Sequence, residues 1–207
     1  MVRQNMTYII AGRQGTGKSD SIKSIIQKIL KNNESITKLV VFDEFDSDIW
    51  NSMETWDHPE WQNDAVKVIP PEQLLKLKSG KVRICQQRDD IKYYLDIFKQ
   101  LSNAIIVFED ATRYFPAESK PPSELMSILL NAKQRNTEVF LIFHSLMDVP
   151  KKLTRNIRII ILHHTDDDSV PEKFGNKTVH DAFSRLKGTD DPFAKIVIPI
   201  NVNLTTK

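Results

Sequence analysis

The sequence predicts an α/β domain built on a mostly parallel β-sheet, and three observations predict it. Short apolar runs alternate along the chain with stretches of helical periodicity. Ala104–Phe108 (AIIVF) is apolar at every position, which suits a strand covered on both faces. A glycine-containing octapeptide joins the first apolar run directly to the first helical stretch. The 207 residues suffice for one substantial core, and no linker divides them, so residues 1–207 are expected to form a single domain.

The elements follow in order. Met6–Ala11 (MTYIIA) reads as the first strand. From Ser19 to about Lys31 the spacing predicts a helix, with Ile22, Ile25, Ile26 and Ile29 on one face. Lys38–Phe42 (KLVVF) is a second strand, followed by an irregular acidic stretch from Asp43 to about Asp64. Ala65–Ile69 is a short strand, and Pro71 to Leu77 a helix with proline near its first turn. Lys81–Cys85 is a buried strand that takes Cys85 into the core, and Ile91 to Leu101 is a helix. After Ala104–Phe108 comes a helix from Ser123 to about Arg135, with Ser123 placed to cap it. Glu138–Phe143 (EVFLIF) and Arg158–Leu162 (RIIIL) are further strands. Lys195–Ile200 closes the sheet as an edge strand, because Pro199 has no N–H to give to a ladder.

Composition excludes several classes. A net charge of +2 leaves no basic sheath for nonspecific nucleic-acid binding. Any DNA contact has to come from a local patch or from several copies in a ring. The single cysteine, Cys85, permits neither an internal disulfide nor a cysteine-rich zinc site, which fits a reducing interior. No apolar run approaches the ~18–20 residues of a membrane span, and no signal-like segment opens the chain. A cytoplasmic protein without a transmembrane segment is expected.

Residues Gly12–Ser19, GRQGTGKS, match G-x-x-x-x-G-K-[ST] throughout. The glycines allow bends that turn successive N–H groups inward, and the next helix adds the positive end of its dipole. Lys18 is placed to reach the β- and γ-phosphates of ATP or GTP, and the Ser19 hydroxyl to ligate Mg²⁺. The nucleotide-binding set is therefore Gly12, Arg13, Gln14, Gly15, Thr16, Gly17, Lys18, Ser19 and Asp20. This pattern predicts the three-layer P-loop NTPase fold.

Such a site needs an acid at the end of another strand, and two strands compete. LVVFDE ends in Asp43 and Glu44, the early position of a nucleoside or nucleotide kinase. IIVFED ends in Glu109 and Asp110, the arrangement of ATPases with a second, catalytic carboxylate. The second is preferred: a fully apolar strand precedes it, and the next strand ends in His144–Ser145, polar groups able to sense a γ-phosphate. Glu109 then holds the metal and Asp110 acts as general base. Asp43, Glu44 and Asp46 are read as a solvated loop.

From the P-loop to about Asp166 the chain resembles the HerA–FtsK superfamily of DNA-pumping ATPases. IIVFEDATRYFP resembles that group's acidic strand and short aromatic segment, and LLNAKQRNTEVFLIFHSLMDVPKKLTRNIRIIIL its following section. The carboxylates stand in the order Glu–Asp where the group has Asp–Glu. His144–Ser145 replace the usual glutamine, and Asn136 follows Arg135 where histidine is common. Within the group the short length resembles the genome-packaging ATPases of membrane-containing viruses, with the Zot-like proteins of filamentous phages as relatives. The resemblance implies a RecA/HerA-like strand order and a homo-oligomeric ring of six. It implies double-stranded DNA as the transported polymer and a capsid or membrane protein as partner. Ser145 would serve as sensor, and Arg135 as the arginine reaching a nucleotide, with Arg155 or Arg158 second.

Three features stay outside this reading. Lys151, Lys152, Arg155 and Arg158 form a basic cluster, either a solvated face or a surface for DNA or a neighbouring subunit. His163 and His164 precede three aspartates, but adjacent strand residues point to opposite faces, which disfavours a metal site. Trp50, Trp56 and Trp61 either anchor the acidic stretch or make a subunit contact.

Overall fold

The computed structural model describes residues 6–43, 49–50, 66–85 and 90–200. Glu44, Asp46, Trp56 and Trp61, and most of the acidic stretch, lie outside the described residues. Eight strands form one sheet: β1 Thr7–Ala11, β2 Lys38–Phe42, β3 Lys67–Val68, β4 Gly80–Ile84, β5 Ala104–Phe108, β6 Thr137–Phe143, β7 Ile159–His163 and β8 Lys195–Pro199. Their order is β3-β4-β2-β5-β6-β1-β7-β8, and every pairing is parallel except β7 with β8. The proline-bearing β8 is an edge strand, as predicted.

The alternation of side chains along the strands divides the core into two apolar clusters. On one face Ile10, Val41, Ile105 and Val107 pack against Ile22, Ile26, Ile29 and Leu30 of α1 (Lys18–Asn32). On the other, Phe42, Ile106 and Phe108 pack against α2 (Ile91–Phe98), α3 (Ala111–Tyr114), α4 (Ser123–Asn131) and α5 (Lys177–Lys187). The result is the expected three layers. Phe42 centres the second cluster, its ring 4.9 Å from Tyr94, 4.8 Å from Tyr114 and 5.7 Å from Phe98 between centroids.

Several local expectations are corrected. Residues Pro71–Lys76 form a 3-10 helix, the form short helical turns often take. The helix predicted to Leu101 ends at Phe98, and the one predicted to Arg135 ends at Asn131. Both run on into turns that finish on a left-handed asparagine, Asn103 and Asn136, each at φ 51°. Ser123 is the first helical residue rather than the cap, and its hydroxyl bonds the Glu124 carboxylate. Cys85 lies just past β4 and is half-buried, so it is not a core residue. Helices α3 and α5 have no counterpart in the sequence reading.

Candidate active site

The loop after β1 meets the carboxyl edge of the sheet, where parallel strands leave a natural crevice. Gly12 donates its N–H to the Phe143 carbonyl, and Arg13 to that of His164 at 2.7 Å. A Cβ at Gly12 would stand 2.5 Å from the Cβ of His163, so only glycine passes here. Gly15 and Gly17 take φ 78° and 75°, the left-handed region that glycine enters freely. The Thr16 hydroxyl donates to the Arg13 carbonyl, and the Thr16 carbonyl accepts from His163 Nδ1 at 2.8 Å. That contact fixes the tautomer, with the proton on Nδ1. Burial, the largest cause, lowers the His163 pKa to about 4, so the ring is neutral under the loop.

Helix α1 opens at Lys18 with no side-chain cap, leaving its first amides aimed into the crevice. Lys18 Nζ donates to the carbonyls of Gly12 at 2.6 Å and Arg13 at 2.9 Å, folding back over the loop. Burial lowers its pKa, while Glu109 and Asp110 act to raise it. The lysine therefore lies in the field of both carboxylates.

Glu109 follows β5, two strands from β1, yet its Oε1 accepts the Ser19 hydroxyl at 3.0 Å. Its Oε2 accepts Trp50 Nε1–H at 3.0 Å. Burial pushes the Glu109 carboxyl up to about 7, with the charge of Asp43 adding, against the hydrogen bonds of Ser19 and Trp50 and the charge of Lys18. Asp110 lies beside it with Oδ1 buried and without a hydrogen bond among the described residues; His144 Nε2 is 3.5 Å away. Together these groups, with Gln14, Gly15, Gly17, Asp20, Asp43, Ile49, Ile142 and Phe193, line one cleft of about 640 Å³. That is within the ~300–1,000 Å³ common for small-molecule sites.

Sequence reasoning misplaced several residues. Asp43 is not solvated: it is 2% exposed and meets Arg83 of β4, itself 1% exposed, at 3.2 Å. Ser145 does not face the cleft, because its hydroxyl caps a turn by accepting from Met147 N and Asp148 N. His144 lines the cleft instead. Arg135 precedes β6, at the end of the strands opposite the loop, and donates to the Gln100 carbonyl. Arg158 sits at that same edge before β7, and Lys151, Lys152, Arg155 and Arg158 are all exposed. Within one chain, therefore, Arg135 and Arg158 do not reach the loop. Asp20 lines the cleft and pairs with Lys23 at 3.6 Å. Arg13 pairs at 3.5 Å with Asp166, an exposed contact worth little.

Of the two roles open to Trp50, the structure shows the anchor: it is fully buried against Glu109. Its signal was an indole donor in the stretch after β2, too general to assign. His164 turns away from His163 and bonds the Asp191 carbonyl through Nε2 at 2.8 Å.

Neither the family models nor the curated proteins compared with this sequence give a match. Solved structures do. The genome-packaging NTPase of Sulfolobus turreted icosahedral virus 2, in complex with sulfate, aligns over 97% of this chain and 94% of its own with TM-score 0.73 and 13% identity. The same NTPase in complex with ATP-gammaS aligns over 97% and 94% with TM-score 0.71 and 14% identity. The DNA-packaging ATPase of Sulfolobus turreted icosahedral virus aligns over 95% of this chain and 98% of its own, with TM-score 0.65 and 13% identity. The chain has the P-loop NTPase fold, and over nearly its whole length that fold resembles the packaging NTPases of these viruses.

Proposed function

We propose that this chain is the ATP-hydrolysing subunit of a DNA-translocating motor of the kind that packages a viral genome. The observation that carries the reading is the junction of Ser19 with Glu109, two residues 90 positions apart in sequence, beside Asp110 Oδ1, which has no hydrogen bond among the described residues. The packaging NTPases named above have this fold and a similar length. A kinase reading would assign the metal to Asp43, but that carboxylate is already paired with Arg83.

In this mechanism Lys18 leaves the carbonyls of Gly12 and Arg13 and turns to the β- and γ-phosphates. The loop amides and the start of α1 hold the remaining phosphate oxygens. Asp110 Oδ1 accepts the proton of the attacking water, and His144 Nε2 marks the neighbouring position on the terminal phosphate. Ser19 Oγ and Glu109 Oε1 form a hard oxygen pair that suits Mg²⁺. Burial raises the Glu109 pKa; Mg²⁺ held there would favour the ionised carboxylate and draw charge from the phosphates.

Six copies would form the ring, with double-stranded DNA through its centre and a capsid or membrane protein at its mouth, in the host cytoplasm. No helix among the described residues is long and apolar enough to cross a membrane. The test is the steady-state rate of ATP hydrolysis with and without double-stranded DNA. A motor is stimulated by DNA; phosphate transfer to a nucleoside, with no effect of DNA, would replace this reading by a kinase.

A further inference from the structure

Phe193 is 64% exposed, yet it is held in place. It stands in the turn before β8, where Asp191 Oδ1 accepts its N–H and the Asp191 carbonyl accepts His164 Nε2–H. Just beyond, Lys195 Nζ donates to Ser21 Oγ at 2.8 Å, tying the start of β8 to the first turns of α1. The ring therefore leans over the phosphate loop: a Cβ on Gly17 would be 3.5 Å from Phe193 Cδ1. This ring lines the mouth of the cleft together with Gly17, Lys18 and Ser19, so its exposed face is offered to whatever the cleft holds.

Strand order gives the cleft a direction. Along the carboxyl edge the groups stand as Glu109 and Asp110 after β5, His144 after β6, the loop after β1, His163 at the end of β7 and Phe193 before β8. Because β8 is antiparallel, with Lys195 opposite His163, its start lies at this edge. A triphosphate with its terminal group at the carboxylates has its nucleoside end directed toward β7 and β8.

We infer that Phe193 is the stacking platform for the nucleotide base. This rests on the nucleotide reading given above. A phenyl face attracts any base through its π-surface and carries no hydrogen-bonding group, so this contact by itself does not separate adenine from guanine.

The test is calorimetric binding of ATP and of inorganic tripolyphosphate, which has the phosphates but no base, to the wild type and to Phe193→Ala, Phe193→Tyr and Lys18→Ala. The inference expects Phe193→Ala to weaken ATP by about 5- to 150-fold, the worth of stacking one base, and to leave tripolyphosphate unchanged. Phe193→Tyr keeps ATP binding within about threefold of the wild type. Unchanged ATP binding in Phe193→Ala overturns the inference, and so does equal weakening of both ligands. If Lys18→Ala still loses both ligands in that case, the phosphate-loop reading stands without it. A wild type that binds neither ligand overturns both.

Discussion

In the proposed mechanism Glu109 carries charge where burial opposes it, and that tension is measurable. Its carboxyl titrates at about 7 rather than at 4.5, chiefly through desolvation. A folded pKa above the unfolded one means the native state holds an extra proton between these values. Stability from this group is full below pH 4.5 and is lost as pH rises to about 7, by about 3 kcal/mol. Urea melts of the metal-free wild type and of Glu109→Gln should therefore show the wild type losing that much against the variant over this window; a constant difference contradicts it. His163 acts with the opposite sign. Its folded pKa, about 4, lies below the ordinary 6.5, so its contribution is full above pH 6.5 and is lost as pH falls toward 4. At Gly12 the effect is steric. Gly12→Ala sets a methyl 2.5 Å from His163 Cβ, and the loop has to shift away from β7. We expect ATP affinity to fall at least tenfold in that variant, read by calorimetry. At this scale the sequence was most legible in position: the tight turn at Gly12 and the placing of Lys18 and Ser19 at the cleft follow from the glycine spacing. It was least legible where a partner comes from afar. Nothing near Asp43 in sequence announces Arg83, and nothing near Glu109 announces Trp50.

The inner strands were readable because they are short apolar runs covered on both faces, and β2 and β5 match their expected limits. Helix ends were harder, since apolar periodicity at Leu101 and Ala132 continues past the last helical residue while Asn103 and Asn136 turn left-handed. Helix α5 was missed although Val179, Ala182, Phe183 and Leu186 recur at helical spacing and Asn176 caps it through Thr178 N. Its polar majority hid the stripe. Two predictions belong to elements. Phe42, wholly buried at the end of β2, contacts rings from α2, α3 and β5, so Phe42→Ala should cost about 3–5 kcal/mol in a urea melt. Arg83→Met leaves the Asp43 carboxylate buried without this cation and should cost a similar amount. Adding Asp43→Asn to it should recover part of the loss, because the charge goes with its partner; a double variant less stable than Arg83→Met alone contradicts the account.

For the whole molecule the decisive feature is strand order. Placing β6 between β1 and β5 puts the polar end of β6, His144, between phosphate loop and carboxylates, all on one edge. The same order sends Arg135 and Arg158 to the other edge, so either reaches a nucleotide only from another subunit. If Arg135 acts in this way, Arg135→Ala and Asp110→Asn subunits, each inactive alone, regain part of the activity when mixed; no recovery in mixed rings removes Arg135 from the mechanism. The sequence could not show this, because a ring contact leaves no periodicity in one chain. The most direct test of the central claim compares Asp110→Asn with Asp43→Asn for ATP affinity and turnover. The account predicts that Asp110→Asn binds ATP as the wild type does but hydrolyses it about 10²–10⁴-fold more slowly, while Asp43→Asn keeps turnover in the wild-type range. Wild-type hydrolysis by Asp110→Asn, or that loss appearing in Asp43→Asn instead, would contradict it.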